Sequence, residues 1–120
     1  MEKEESRQLA AIAVRALEEK KAVNVEVIEI DEISPLADYF VIASGTNLSQ
    51  TDAMSDAVQQ KAAEAGFVPD HVEGHRNGNW TLIDYKGVVI HIFDEEAREF
   101  YALDHLWRDG KKVTLEELTQ

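Results

Sequence analysis

The chain has 120 residues, 44% of them hydrophobic, and no cysteine, which fits one folded domain and excludes a disulfide framework, a thiolate metal site and a cysteine nucleophile. Its 24 acidic and 12 basic residues give a formal net charge of −12, which opposes a phosphate backbone and argues against direct binding to DNA or RNA. The charged first residues contain no apolar signal segment, and no apolar run approaches the roughly 20 residues of a membrane span, so we expect a cytoplasmic protein that does not enter membranes.

The first third of the chain predicts a helix, a strand and a loop. Between Ser6 and Ala22, apolar side chains recur at helical spacing: Leu9, Ile12, Ala13, Ala16 and Leu17. The stretch VNVEVIEI (23–30) alternates and then shifts phase, which is typical of a half-buried strand with a bulge. Pro35 in the next stretch, DEISPLAD, favours a loop over a central strand.

The middle of the chain predicts a buried strand followed by a second helix. YFVIASG (39–45) is a continuous apolar run, as expected for a strand buried on both faces. The helix that follows has Asp52 in its predicted first turn, Gly66 at its predicted end, and three competing N-caps: Thr46, Asn47 and Ser49. We expect its apolar stripe to be buried: Leu48, Met54, Val58 and Ala62.

A short strand, DHVEG (70–74), and a polar turn, HRNGN, lead to a predicted hairpin with two apolar faces. The hairpin sequence is NWTLIDYKGVVIHIF (79–93), and pairing residue 85 with residue 88 fixes which side chains share a face. One face carries Thr81, Ile83, Tyr85, Val88, Ile90 and Ile92. The other carries Trp80, Leu82, Asp84, Val89, His91 and Phe93.

The last part predicts a third helix, EEAREFYALDHLW (95–107), capped by Asp94, and a tail with a break at Gly110 and one further helical turn. The whole order predicts one α/β domain over 1–120, with a core at about 7–107, a tail at 108–120, and a mixed sheet of about five strands flanked by helices. The first two helices suffice for one sheet face. The other face of the sheet is covered either by a partner or by the third helix, through Phe100, Tyr101, Leu106 and Trp107.

The candidate residues for catalysis and metal binding form no convincing set. His91 and Asp84 lie diagonally on one hairpin face, but the best placed nucleophile, Ser44, lacks the G-x-S-x-G turn of a hydrolase. His71 and His75 fall on a strand and its turn, where this spacing separates them by about 13 Å. We therefore predict no catalytic residues and no bound metal.

The loop SGTNLSQ is the best candidate for a small ligand, because free N–H groups at a helix N-terminus can hold a phosphate. It lacks the lysine of a phosphate-binding loop, and no basic residue lies between Ile28 and Gln60. A well-capped helix is the favoured interpretation, and we expect no cofactor. A nucleotide-binding protein or transferase remnant is the alternative.

Four blocks, DYFVIASGTNLSQTDAMSDAV, VEG, NWTLIDYKGVVIHIF and EFYALDHLW, resemble the Iojap or RsfS family of ribosomal silencing factors in order and spacing. The resemblance implies a nucleotidyltransferase-like fold without the carboxylate pair of true transferases. It also implies binding to the large ribosomal subunit through the ribosomal protein called L-fourteen. Blocking the small subunit from joining would then repress translation when nutrients are scarce. Two features depart from the family pattern: the hairpin turn of Tyr85, Lys86 and Gly87, where the family commonly has Gly-Asp, and the sequence RDGKK after Trp107, where the family has a short Asp-Ala ending.

The predicted partner-binding residues follow from this resemblance together with the second hairpin face: Trp80, Leu82, Asp84, His91, Phe93 and Tyr101. Trp80 is the expected anchor, because a large amphipathic ring is a common hot-spot side chain. The acidic charge would steer the chain to a basic protein surface, although it would equally serve solubility alone. A homodimer through the same face is a third hypothesis.

Overall fold

The computed structural model of the chain describes residues 1–74 and 79–120, and within these it leaves out the side chains at 104 and 106. Most of the predicted turn HRNGN, including His75, therefore lies outside the described residues. The elements in chain order are α1 (Lys3–Glu19), β1 (Val23–Glu29), β2 (Tyr39–Gly45), α2 (Leu48–Glu64), β3 (His71–Glu73), β4 (Trp80–Asp84), β5 (Val88–Asp94), α3 (Glu95–Tyr101), α4 (Leu103–Leu106), β6 (Lys111–Val113) and α5 (Leu115–Leu118). None of the helices in the described ranges is long and apolar enough to cross a membrane.

The strands of the described residues form one mixed sheet in the order β3-β4-β5-β2-β1-β6. The central neighbours β2 and β5 run parallel, and the other pairs are antiparallel. This confirms the predicted α/β class with helices flanking a mixed sheet. The strand count of about five is too low by one, because β6 is a three-residue edge strand that begins with two lysines and has no apolar alternation.

The predicted irregularity of β1 and the burial of β2 are both confirmed. The pairing of β1 with β2 shifts register between Val23 and Glu26, and Asn24 within this bulge has a left-handed φ of 51°. All seven residues of β2 are buried, as expected for a strand at the centre of the sheet with helices on both faces.

The register of the hairpin agrees with the prediction. Tyr85 donates its backbone N–H to Val88 at 2.9 Å, Ile83 lies opposite Ile90, and Trp80 lies opposite Phe93. The first face packs against α1 and α2 in the larger core, where Leu9, Leu17, Met54, Val58, Ile83 and Ile90 are all fully buried. The hairpin therefore presents two apolar faces, and each belongs to a separate core cluster.

Helix α2 begins at the predicted loop, with two differences. Asn47 is the N-cap and accepts the Gln50 backbone N–H at 2.8 Å, so Asp52 is the fifth helical residue and lies beyond the first turn. Leu48 is 50% exposed rather than buried. Six residues before Met54, it points about 120° away from the buried stripe, and Thr51 occupies that face instead.

The prediction of one continuous third helix over 95–107 is wrong. Asp94 caps α3 as predicted, accepting the Ala97 backbone N–H at 2.7 Å, but the chain breaks at Ala102, which has a left-handed φ of 47°. Alanine is the best helix former, so local propensity gives no sign of this break. The break starts α4 in a new direction, and Leu103 and Trp107 pack against the second core cluster.

The second sheet face is therefore covered in part by the chain itself. Its cluster consists of Ile28, Ile30, Ala37, Phe40, Ile42, Val89, Phe93 and Ala97. Trp107 lies edge-on against Phe40, with 5.1 Å between ring centroids. Phe100 does not take part as predicted, because it points away from the sheet and is 79% exposed.

The last residues are part of the folded structure. Strand β6 pairs antiparallel with β1, with Val113 opposite Val27. Helix α5 is capped by Thr114 and packs against α1, and it places Leu118 in the larger core with 3% exposure. The segment 108–120 thus contributes both sheet pairing and core burial.

Candidate partner-binding surface

An exposed group of aromatic and apolar side chains lies where β4 meets α3. This aromatic surface consists of Trp80, Leu82, Phe100 and Tyr101. Trp80 and Tyr101 are in ring contact at 4.5 Å between centroids, and Phe100 meets Tyr101 edge-on at 5.1 Å. Tyr101 is 41% exposed, and Trp80 and Leu82 are half-buried. Three aromatic rings in contact and open to solvent form a patch of the kind that marks interaction sites.

The structure places two of the predicted binding residues beneath this surface. Phe93 is fully buried and packs against Trp80 at 5.1 Å between ring centroids, and His91 is only 4% exposed. Neither ring can contact a partner directly in this conformation. They support the aromatic surface from below.

Phe100 is the member of the aromatic surface that is absent from the predicted partner-binding residues. It was expected to cover the sheet, since it falls within a helix that carries other apolar residues. Its neighbour Tyr101 turns toward the sheet, and successive helical side chains lie about 100° apart, which directs Phe100 outward. A helical-wheel projection anchored on Tyr101 would have found it.

A hydrogen bond connects the surface to the buried histidine. The indole Nε1–H of Trp80 donates to Nδ1 of His91 at 3.1 Å. Burial lowers the pKa of His91 to about 4, so the ring is neutral at physiological pH. An indole nitrogen is only a donor, so Nδ1 must be the unprotonated nitrogen and Nε2 carries the proton.

Asp84 stabilises the hairpin turn and is not bonded to His91. Its Oδ1 accepts the backbone N–H of Lys86 at 2.7 Å, and its Oδ2 lies 3.8 Å from Nδ1 of His71. The arrangement of Asp84, His91 and a serine that a hydrolase would need is not assembled. Its carboxylate is partly exposed at the end of β4.

Ser44 and Asp38, which belong to the family-like motifs, have structural hydrogen bonds. The Ser44 hydroxyl donates to the backbone carbonyl of Val23 at 3.1 Å. Asp38 accepts the hydroxyl of Ser6 at 2.7 Å and so connects the start of β2 to α1. Both side chains hold elements together.

The loop SGTNLSQ is filled by one of its own side chains. Gln50 Oε1 accepts the backbone N–H of Thr46 at 2.7 Å, and Gln50 Nε2 donates to the carbonyl oxygens of Lys20 and Lys21 at 3.1 and 3.0 Å. With Asn47 also capping the helix, side chains of the protein take the place that a phosphate would need. This geometry favours the capped-helix interpretation.

A cleft of about 590 Å³ opens beside the ends of β1, β2 and α3. Its charged lining includes three carboxylates, Glu26, Glu95 and Glu99, and one guanidinium, Arg98. Arg98 lies 3.6 Å from Glu26 and 3.4 Å from the Ser44 hydroxyl. The excess of carboxylates disfavours a phosphate ligand here. Within the described ranges, no group of three or more histidine, aspartate or glutamate residues is placed to hold a metal ion.

Residues 3–120 match the protein family described as "Ribosomal silencing factor during starvation", RsfS. The chain belongs to the RsfS family. It is 35% identical over 111 residues to ribosomal silencing factor RsfS of Halalkalibacterium halodurans, covering 92% of this chain and 95% of that protein. It is 32% identical over 105 residues to RsfS of Bacillus subtilis, covering 88% of this chain and 89% of that protein.

A solved structure agrees with this assignment. The crystal structure of a protein from Chromobacterium violaceum matches with a TM-score of 0.84 and 30% identity, covering 95% of this chain and 92% of that one. The resemblance found from the four sequence blocks is therefore confirmed. Membership gives the chain the general role of a ribosomal silencing factor, a regulatory protein.

Proposed function

We propose that this protein binds the large ribosomal subunit through the ribosomal protein L-fourteen and blocks joining of the small subunit, repressing translation under nutrient limitation. It acts without catalysis, by occupying the face of the large subunit that joins the small subunit. The observation that carries the proposal is the aromatic surface on a strongly acidic protein, with Phe100 and Tyr101 exposed and Trp80 and Leu82 half-buried beside them.

The surroundings of the aromatic surface favour a basic protein partner. A shallow groove of about 290 Å³ beside Phe100 and Tyr101 is also lined by Asp94 and Glu96. Lysine and arginine side chains on a partner could lay their methylene groups on the rings and pair their charges with these carboxylates. Aromatic anchors within a charged rim are typical of a specific protein interface.

Trp80 is the proposed anchor. It is half-buried, its ring is supported by Phe93 and Tyr101, and its indole nitrogen is already hydrogen-bonded. A ring held in this way loses little conformational entropy on binding, which favours affinity. Asp84, at the other end of β4, is proposed to pair with a partner lysine or arginine.

A second copy of the chain is the other candidate occupant of the same surface. We propose the ribosomal partner as its occupant because each copy carries a net charge of −12, and carboxylates line the patch on both copies. Sedimentation velocity at micromolar concentration and low salt tests this choice. A monomer is expected, whereas a dimer that Trp80→Ala dissociates would assign the surface to self-association.

Cosedimentation with isolated large and small ribosomal subunits tests the proposal. The wild type should pellet with the large subunit only, and more weakly as salt rises. Trp80→Ala should abolish pelleting, and Phe100→Ala and Tyr101→Ala should weaken it. Leu48→Ala is the matched control, because it truncates an exposed apolar side chain on α2, which packs on the opposite sheet face. Normal pelleting of Trp80→Ala, or equal loss with Leu48→Ala, would contradict the assignment of the surface.

A further inference from the structure

The orientation of the Trp80 indole is fixed by a polar contact inside an otherwise apolar cluster. Trp80 on β4 and His91 on β5 are diagonal neighbours across the hairpin, since Leu82 is the residue directly opposite His91. Their side chains meet through one hydrogen bond, Nε1–H to Nδ1, at 3.1 Å. Because a hydrogen bond is directional, this contact fixes the side-chain torsion angles of Trp80 and therefore the orientation of its indole ring.

The His91 ring is itself held by aromatic neighbours. Phe40 meets it edge-on at 4.9 Å between centroids, and Phe93 stacks nearly parallel to it at 6.2 Å. The side chain is 4% exposed, and Nε2 is buried with no hydrogen-bond partner in the described part of the chain. A buried N–H without a partner is unfavourable, so this histidine lowers the stability of the fold at this position.

The hydrogen bond between Trp80 and His91 can form with only one tautomer of the neutral imidazole. With the proton on Nε2, Nδ1 offers a lone pair to the indole N–H. With the proton on Nδ1, two N–H groups would face each other at 3.1 Å, and the indole would have to turn away. The position of one proton on His91 thus determines whether the Trp80 ring is held in place.

We propose that His91 is a positioning residue for partner binding: as its Nε2–H tautomer it holds the indole of Trp80 in the orientation that the aromatic surface presents. The inference rests on the proposed function, in which Trp80 is the anchor. His91 itself does not touch the partner. His91 affects the affinity for the partner only by holding the indole N–H of Trp80.

Nuclear magnetic resonance of the ¹⁵N-labelled wild-type protein tests the tautomer without any substitution. The ¹⁵N shifts of His91 should report a protonated Nε2 and an unprotonated Nδ1. The indole N–H of Trp80, assigned by its absence in Trp80→Phe, should exchange slowly with solvent. A protonated Nδ1, or rapid exchange of the Trp80 indole N–H, would overturn the proposal.

Three variants connect the hydrogen bond to ribosome binding. His91→Asn keeps an acceptor oxygen close to the Nδ1 position, and His91→Leu removes the acceptor while preserving apolar volume. His91→Leu should weaken large-subunit binding roughly two- to tenfold, the range expected for one neutral hydrogen bond, and His91→Asn should restore most of the loss. In the Trp80→Phe background, which lacks the N–H, His91→Leu should have no further effect.

The two readouts separate failure of the inference from failure of the proposed function. If His91→Leu weakens binding equally with Trp80 and with Trp80→Phe, histidine acts through packing alone and the positioning role is refuted. If the tautomer and the protected indole are found but no form of the protein binds large subunits, the proposed function fails, and with it the role of His91 in partner binding. If binding is normal while the indole exchanges rapidly, the proposed function stands and the positioning role fails.

Discussion

Acid should destabilise the folded protein through His91 before most carboxylates titrate. The pKa of this buried histidine is lowered from 6.5 to about 4 because the protein interior disfavours its charged form. Its ring neighbours in the described chain are uncharged, namely Trp80, Phe40 and Phe93. The carboxylate on the same hairpin face, Asp84, is bonded to the backbone of Lys86.

The direction of the stability change with pH depends on whether the folded or the unfolded state binds the His91 proton more readily. The unfolded chain, with a histidine pKa near 6.5, takes up a proton first, so stability is fully present above that pH and is lost as pH falls toward 4. Lowering the pH to roughly 5.5 should reduce the free energy of unfolding by about 1.4 kcal/mol through this group. The loss should approach about 3 kcal/mol near the folded-state pKa.

Urea unfolding at a series of pH values, for the wild type and for His91→Leu, measures this term. Other titrating groups are common to both proteins, so the difference between their curves isolates His91. The wild type should lose more stability than the variant between about pH 8 and 5.5, by close to the amount given above. Parallel curves would show that His91 titrates alike in both states, and the argument from burial would be wrong.

Three further predictions concern other parts of the molecule. Lys3→Met should lower the free energy of unfolding by roughly 0.5–1 kcal/mol in urea, since Lys3 pairs with Glu29 and Asp31 at a partly exposed site; an unchanged midpoint would show that the pairs contribute nothing. Leu118→Ala should cost about 2–4 kcal/mol in the same assay, because it empties a buried site under α1; a loss below about 0.5 kcal/mol would mean that residues 108–120 add little to the core. Common nucleotides should give no thermal shift, since Gln50 fills the loop before α2, and a shift of several degrees would revive the nucleotide-binding alternative.

The hairpin was predictable because two independent constraints agree. Side chains alternate strictly between faces, and the two-residue turn at Lys86 and Gly87 fixes the register, so a slip of one residue would reverse every side chain. The same reasoning brings Trp80, His91 and Phe93 to one face. It cannot say which of them stay accessible, because that depends on where α3 lies.

The errors come from structure that tertiary contacts impose. Ala102 adopts a left-handed conformation that its helix propensity opposes, and the packing of Leu103 and Trp107 on the second core cluster compensates for it. Strand β6 is visible only as a partner of β1, because its three residues carry no pattern of their own. The capped helix at the SGTNLSQ loop agrees with the prediction, but the role of Gln50 there was not predictable, because it depends on carbonyl oxygens just after α1, which is distant in sequence.

The most direct test of the central claim is a subunit-joining measurement. Purified small and large ribosomal subunits are mixed with magnesium, with or without the protein, and joined ribosomes are quantified by light scattering and on sucrose gradients. Preincubating large subunits with the wild type should reduce joining in proportion to occupancy, while Trp80→Ala should leave joining unchanged. Normal joining at a protein concentration that saturates the large subunit would contradict silencing by occlusion, because binding would then not block the joining face.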